Sequence, residues 1–188
     1  MNTVMHRWFS AVLMLFLLLP LTSQAADNFP AKQNFAGQAL TLNGKGVRTK
    51  LVFDLYTAGL YVSAPSKDAN ALLDAKQPLT LRMEITSSMI TSENMEEAVR
   101  EGFQKSAAAN LNALQPKIET LIQVFKQPIK EGDIYDFVYK PQNTLIIKNG
   151  KNAATIAGAD FKQALFGIWL GAKPVQANLK AALLGSGQ

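Results

Sequence analysis

Three residues in the first third of the chain have side chains that could hold an anion. Arg48 precedes a long apolar, β-rich segment, and Tyr56 and Tyr61 lie within it. A guanidinium is always charged and offers forked donors that match a carboxylate or an enolate, and a neighbouring phenol can add another donor. On these residues alone, a salt bridge or a surface position for Arg48 is favoured over a ligand contact.

Other reactive chemistry is restricted by composition. The single histidine is His6, close to the N-terminus, and the chain contains no cysteine. Ser-His-Asp and Cys-His nucleophiles, thiolate chemistry and nearly every zinc, copper or haem site are therefore excluded from the rest of the chain. We predict neither a metal nor a cofactor, and acid–base chemistry would fall to Asp, Glu, Lys or Tyr.

Two further motifs have simpler structural interpretations. Four glutamates could form paired carboxylates for acid–base chemistry: Glu93, Glu96, Glu97 and Glu101. Arg100 and Lys105 follow Glu96 and Glu101 at a spacing of four residues, so we predict a solvated, ion-paired helix face instead. The glycines at 44 and 46 lack the spacing and the Ser/Thr of a phosphate loop, so we predict a turn there.

The N-terminus has the pattern of a cleavable secretory signal. Arg7 precedes an apolar run at 8–19, and small residues at 23 and 25 suit a signal peptidase. Residues 1–25 are therefore predicted to be removed, with an uncleaved anchor as the alternative, and 26–188 to form one domain in the periplasm. Cleavage lowers the net charge from +5 to +4. Because this charge is spread thinly, nothing in the sequence indicates an anionic membrane surface, and we expect no nucleic acid partner and no stable membrane insertion.

The remaining periodicities indicate an α+β domain. Strands are predicted at 51–62, 79–85, 134–139, 144–148 and 151–156, with an Asn-Gly turn at 149–150 and one wet face on the strand at 79–85. Helices are predicted at 66–74, from 91 to about 114, from Pro116 onward, at 160–170 and at 177–184. Their order suggests one curved antiparallel sheet with helices on one face.

Four segments resemble the chalcone isomerase-like family: GVRTKL at 46–51, LYTAGLYV at 55–62, FGIWLG at 166–171 and LKAALLG at 179–185. The resemblance implies an open-faced β-sandwich with a ligand cleft between sheet and helices. The family contains true isomerases, which close chalcones into flavanones, and non-catalytic fatty-acid binders. Both have an arginine in the position that resembles Arg48, and in the binders a tyrosine in the position that resembles Tyr56 joins it at the carboxylate.

Departures from the isomerase pattern favour a binder. The isomerases carry a Tyr and an Asn at the start of the middle helix, where this chain has Ser-Glu-Asn-Met at 92–95. Their late Ser or Thr, which holds the flavonoid, has no equivalent between 160 and 185. The resemblance therefore implies an alkyl ligand in preference to a polyphenol.

Three hypotheses follow. The first is an exported binder of a small amphipathic ligand, with a fatty acid as the leading candidate; protein partners are left unknown. The second is an intramolecular lyase of the chalcone isomerase type in which Arg48 stabilises an oxyanion, and the third is a structural envelope protein without a ligand. Under the first, the predicted ligand-binding residues are Arg48, Tyr56, Thr57, Met95, Val99, Phe103, Phe125, Phe166 and Trp169.

Strand geometry sets a condition on this site. On one straight strand, Arg48 and Tyr56 would lie about 26 Å apart, too far to share a head group. The hypothesis therefore requires a bend, a bulge or a tight hairpin between Thr49 and Phe53. It also requires that both side chains face the helices, beside an apolar cavity.

Overall fold

The computed structural model describes residues 28–74 and 76–186, so the predicted signal peptide lies outside the described residues. Within these ranges there are seven strands: β1 (Lys32–Phe35), β2 (Gln38–Lys50), β3 (Phe53–Val62), β4 (Leu79–Ile85), β5 (Ile134–Lys140), β6 (Asn143–Lys148) and β7 (Lys151–Ala157). Each pairs antiparallel with the next along the chain, in one curled sheet. The predicted α+β fold is confirmed.

The described part of the chain also contains five α-helices: α1 (Ala69–Asp74), α2 (Ser92–Ser106), α3 (Leu111–Phe125), α4 (Ala159–Leu170) and α5 (Ala177–Leu183). The Thr91 hydroxyl accepts from the backbone N–H of Asn94, and the Asn94 side chain accepts from Thr91 in return, which fixes the start of α2. In the described ranges no helix combines the length and the apolar character that crossing a bilayer requires.

Two predicted helix boundaries were wrong. The chain leaves α2 after Ser106, where Ala107 adopts φ −139°, and a short 3₁₀ turn at 108–110 leads into α3. Pro116 lies inside α3 instead of opening it. A proline here removes one intrahelical hydrogen bond, a cost that the burial of Leu114 and Ile118 on the same helix helps to offset.

The strand β2 was missed, because its polar, Gly- and Lys-containing sequence lacks apolar alternation. The predicted turn at 44–46 was therefore wrong: these residues lie within β2, next to a bulge after Leu42. A Cβ atom added to Gly44 would lie 2.1 Å from the carbonyl oxygen of Ala182. A Cβ atom added to Gly46 would lie 2.7 Å from the Cβ atom of Ala182. The glycines thus let α5 pack directly on β2.

The outer face of β4 is also not wet, contrary to the sequence prediction. Arg82 is buried there and forms a bidentate ion pair with Asp136 at 2.7 and 2.9 Å. Nη1 of Arg82 donates to the Asn28 carbonyl and to Oε1 of Gln33, both in the segment that begins the described structure. A small apolar cluster around Phe35 shares this face.

The main core lies on the opposite face, between the sheet and the helices. Alternate residues of β3, such as Ala58 and Leu60, contact this core together with Phe103 of α2 and Phe125 of α3. The hairpin at 149–150 closes as predicted, with Asn149 and Gly150 both at positive φ. One layer of helices on one face of the sheet matches the predicted open-faced β-sandwich.

Candidate functional site

A cavity of about 400 Å³ opens between the sheet and helices α2, α3 and α4. Its interior is mainly apolar, and its opening carries charged side chains from the β2–β3 hairpin and from α2. The apolar lining includes Met83, Met95, Val99, Phe125, Phe137 and Trp169. The sheet thus supplies a wall and the helices a roof, as expected for a ligand cleft.

Arg48 and Tyr56 both line this cavity and are direct cross-strand partners. A two-residue turn, Leu51-Val52, joins β2 to β3, and the register shifts just after Arg48. Directly opposite residues of an antiparallel pair share a face, with Cβ atoms about 5 Å apart. The required hairpin between Thr49 and Phe53 is therefore present, and both side chains face the helices.

The Arg48 guanidinium is half-buried and is oriented by neutral groups. Its Nη1 donates to the Thr49 carbonyl and, at 3.0 Å, to Oε1 of Gln176, which also accepts from the Thr49 N–H. Within the described residues, Nε and Nη2 donate to no protein acceptor, and no carboxylate pairs with Arg48. A forked edge of a permanent cation is therefore available to a ligand.

Tyr56 is buried, and its phenol oxygen accepts a hydrogen bond of 3.0 Å from Nε1 of Trp169. Burial raises the pKa of Tyr56 to about 12, although the Trp169 hydrogen bond and the Arg48 charge act in the opposite direction. The phenol thus keeps its proton at neutral pH. Among the described residues no acceptor binds that proton, so Tyr56 can donate it to a ligand.

The opening of the cavity is positively charged. Lys50, Lys105 and Lys173 line it together with Arg48, and Glu101 is the carboxylate among the lining residues. The hydrogen bond from Lys105 lowers the pKa of Glu101, and the charges of Lys105, Lys50 and Arg48 add to that effect. An excess of cations here attracts an anionic head group. Among the described residues, no cluster of His, Cys, Asp or Glu could hold a metal ion.

The chain's relation to known proteins agrees with this geometry. The model of a protein family described as chalcone isomerase-like matches residues 22–185. The chain belongs to the chalcone isomerase-like family. A crystal structure of a fatty-acid binding protein from Arabidopsis thaliana has the same fold, with a TM-score of 0.65, 16% identity, and coverage of 83% of this chain and 90% of that chain. A search of curated proteins found no significant match.

Six of the nine predicted ligand-binding residues line the cavity of this chalcone isomerase-like protein: Arg48, Tyr56, Met95, Val99, Phe125 and Trp169. The other three lie elsewhere. Thr57 follows Tyr56 on β3 and so points to the opposite face of the sheet. Phe103 is fully buried and stacks on Phe161 at 5.7 Å between ring centroids, and Phe166 is fully buried in the core.

Several lining residues were missed by the sequence analysis. Leu165 and Ile168 accompany Trp169 on one stripe of α4, but residues 164–170 of this helix are all apolar, so the sequence does not show which stripe faces the cavity. Gln176, which holds Arg48 but does not itself line the cavity, was also missed, because a polar residue before a short helix carries no signal for contact with a distant strand.

Asn94 lies at the start of α2, the region where the resemblance places the isomerase asparagine. It touches the cavity, but its amide is used in the helix cap: Oδ1 accepts from the Thr91 N–H at 2.9 Å, and Nδ2 donates to the Met89 carbonyl at 2.7 Å. Its side chain is therefore not positioned to orient a substrate. The four glutamates of α2 lie on the helix surface as predicted, with Arg100 bonded to Glu96 and Lys105 to Glu101.

Proposed function

We propose that this protein is an exported binder of fatty acids. One observation carries the proposal: Arg48 and Tyr56 face each other at the charged opening of an apolar cavity, each with an unused donor. One carboxylate oxygen would accept from Arg48 and the other from Tyr56, while the alkyl chain extends along Met95, Val99 and Phe125. That the similar Arabidopsis structure is a fatty-acid binding protein supports this ligand class.

The energetics of such a site are favourable. Each buried methylene contributes about 0.8 kcal/mol, so about ten methylenes contribute about 8 kcal/mol toward the cost of association. Hydrogen bonds to a charged carboxylate contribute about 1.5–3 kcal/mol each. Alkyl length therefore sets most of the affinity, and Arg48 with Tyr56 selects an acid over an alcohol or an ester.

The proposal includes export to the periplasm and cleavage after Ala25. Mass spectrometry of the protein purified from the cell envelope should show a chain that begins at Ala26. An intact Met1 would contradict cleavage without affecting the fatty-acid proposal.

The alternatives have less support. A lyase would need groups to orient the substrate, whereas the Asn94 amide is committed to the helix cap and α2 contains no tyrosine. A ligand-free structural protein would not need to keep a cavity of about 400 Å³ open beside an unpaired guanidinium.

Titration of delipidated protein with palmitate by isothermal calorimetry tests the proposal. We expect Tyr56→Phe to weaken binding about tenfold and Arg48→Gln about a hundredfold. Tyr61→Phe and Arg100→Gln are matched controls, because these side chains bind Pro30 on the outer face and surface glutamates, respectively. Equal affinity in Arg48→Gln and wild type, or no palmitate binding at all, would refute the proposal.

A further inference from the structure

The turn between β2 and β3 exposes apolar side chains to solvent. Among the described residues, five large apolar side chains are exposed: Val47, Leu51, Val52, Phe53 and Met89. Four belong to this hairpin, and the fifth lines the cavity. At the tip, Leu51 is 89% exposed and Val52 84%. Contiguous apolar exposure of this kind marks an interaction surface.

The tip residues are also not those that a tight turn favours. Leu51 adopts φ 57° in a two-residue hairpin loop. Gly, Asn or Asp would occupy this conformation at lower cost, and each is more soluble. Neither local conformation nor core packing therefore accounts for a leucine at this position. An apolar contact outside the chain would account for it.

Positively charged side chains lie beside the apolar tip and around the cavity opening. Lys50 and Arg48 precede it on β2, and Lys105 and Lys173 lie across the cavity opening. Two carboxylates share the region: Asp54, which accepts from the Thr49 hydroxyl at 3.1 Å, and Glu101, which pairs with Lys105. The sequence spreads these cations over more than 120 positions, and the fold collects them on one end of the sheet.

We infer that the turn at 51–53 docks reversibly on an anionic lipid bilayer and brings the cavity opening to the membrane. Leu51, Val52 and Phe53 would enter the region between head groups and acyl chains, while Lys50 and Lys173 contact anionic lipids. The inference goes beyond the proposed function, because docking does not require a ligand in the cavity. If the protein carries fatty acids, the same contact would let them enter or leave with little exposure to water.

Co-sedimentation with phosphatidylcholine vesicles containing about one-third phosphatidylglycerol tests the inference. Wild type and all variants have the same N-terminus, so any difference in vesicle binding is caused by the substituted residues. We expect Leu51→Asn/Val52→Ser to lose at least tenfold in vesicle partitioning. Because asparagine suits the conformation of residue 51, the melting temperature of this variant should equal or exceed that of wild type.

Charge is tested separately. We expect Lys50→Gln and Lys173→Gln to lose about fivefold each, and salt to weaken wild-type binding. Lys67→Gln and Lys76→Gln are matched controls, since both lysines lie between β3 and β4, at the end of the sheet opposite the hairpin. They should bind vesicles like wild type.

Palmitate affinity in solution separates this inference from the proposed function. Leu51→Asn/Val52→Ser should keep that affinity, whereas Tyr56→Phe should bind palmitate about tenfold more weakly and still bind vesicles like wild type. Unchanged vesicle binding in the hairpin variant would overturn the inference. So would a lack of wild-type binding to anionic vesicles, or a concentration-dependent dimer that the hairpin variant abolishes, since the tip would then contact a second copy.

Discussion

Gln176 offers a direct test of whether the cavity selects an anion. Its Oε1 accepts from Arg48 Nη1 and from the Thr49 N–H, both at 3.0 Å, so a neutral group holds the guanidinium without neutralising it. Glutamate is nearly isosteric and can accept the same two hydrogen bonds. Gln176→Glu therefore leaves the geometry in place and changes the local charge by one unit.

The expected effect follows from Coulomb's law. Two unit charges 4 Å apart interact by about 4 kcal/mol at an effective dielectric constant of 20. Arg48 and residue 176 are only half-buried, so solvent screening reduces this, and we expect a loss of about 1–2 kcal/mol in the binding of a carboxylate. Palmitate affinity should thus fall about fivefold to thirtyfold.

The assay compares palmitate with its methyl ester, which has the same alkyl chain and no charge. The methyl ester should bind wild type and Gln176→Glu with equal affinity. Palmitate should bind the variant more weakly than it binds wild type. The free energy of unfolding of the variant should stay equal or rise, because Arg48 gains an ion-pair partner. An equal loss of affinity for both ligands would mean that the substitution disturbs the cavity. Unchanged affinity for palmitate would refute a head-group role for Arg48.

Three other features give further predictions. Gly44→Ala should lower the melting temperature by several degrees, measured by circular dichroism, because its Cβ would lie 2.1 Å from the Ala182 oxygen and force α5 off the sheet. Burial alone would raise the pKa of Asp133, but hydrogen bonds from Asn149 and Lys148 help to lower it overall. The ionised Asp133 carboxylate therefore stabilises the fold above pH 4, and this stabilisation is lost as the pH falls. Chemical denaturation should therefore show that Asp133→Asn costs more stability at pH 7 than at pH 3. Chalcone cyclisation, followed by absorbance, should stay near the uncatalysed rate, and an acceleration of about a thousandfold would support the lyase hypothesis instead.

The sequence predicted those parts of the fold whose signals are local. The Asn-Gly turn and the start of the helix predicted from 91 depend on residues within four positions of each other, and both are found where they were predicted. The strand β2 was missed because its stability comes from β1, β3 and α5, not from its own composition. The outer face of β4 was misjudged for a similar reason, since the residues that cover Arg82 precede it by about fifty positions.

The same distinction applies to the site. The resemblance implied that Arg48 and Tyr56 share a head group, and the distance along a strand then required a bend, a bulge or a hairpin between Thr49 and Phe53. The structure contains the hairpin. The helical lining was predicted less well. Phe166 and Trp169 both suit an apolar wall, and only the packing of α4 against α2 decides that Trp169 faces the cavity while Phe166 enters the core.

The hairpin that joins β2 to β3 connects the two proposals. Its body pairs Arg48 with Tyr56 on the cavity side, and its tip exposes Leu51 and Val52. A shift of the turn by one residue would send the Arg48 side chain to the other face of the sheet, because side chains alternate along a strand. The register that forms the head-group site therefore also places the apolar tip beyond the last strand pair, so one turn governs both the carboxylate contact and the exposed surface.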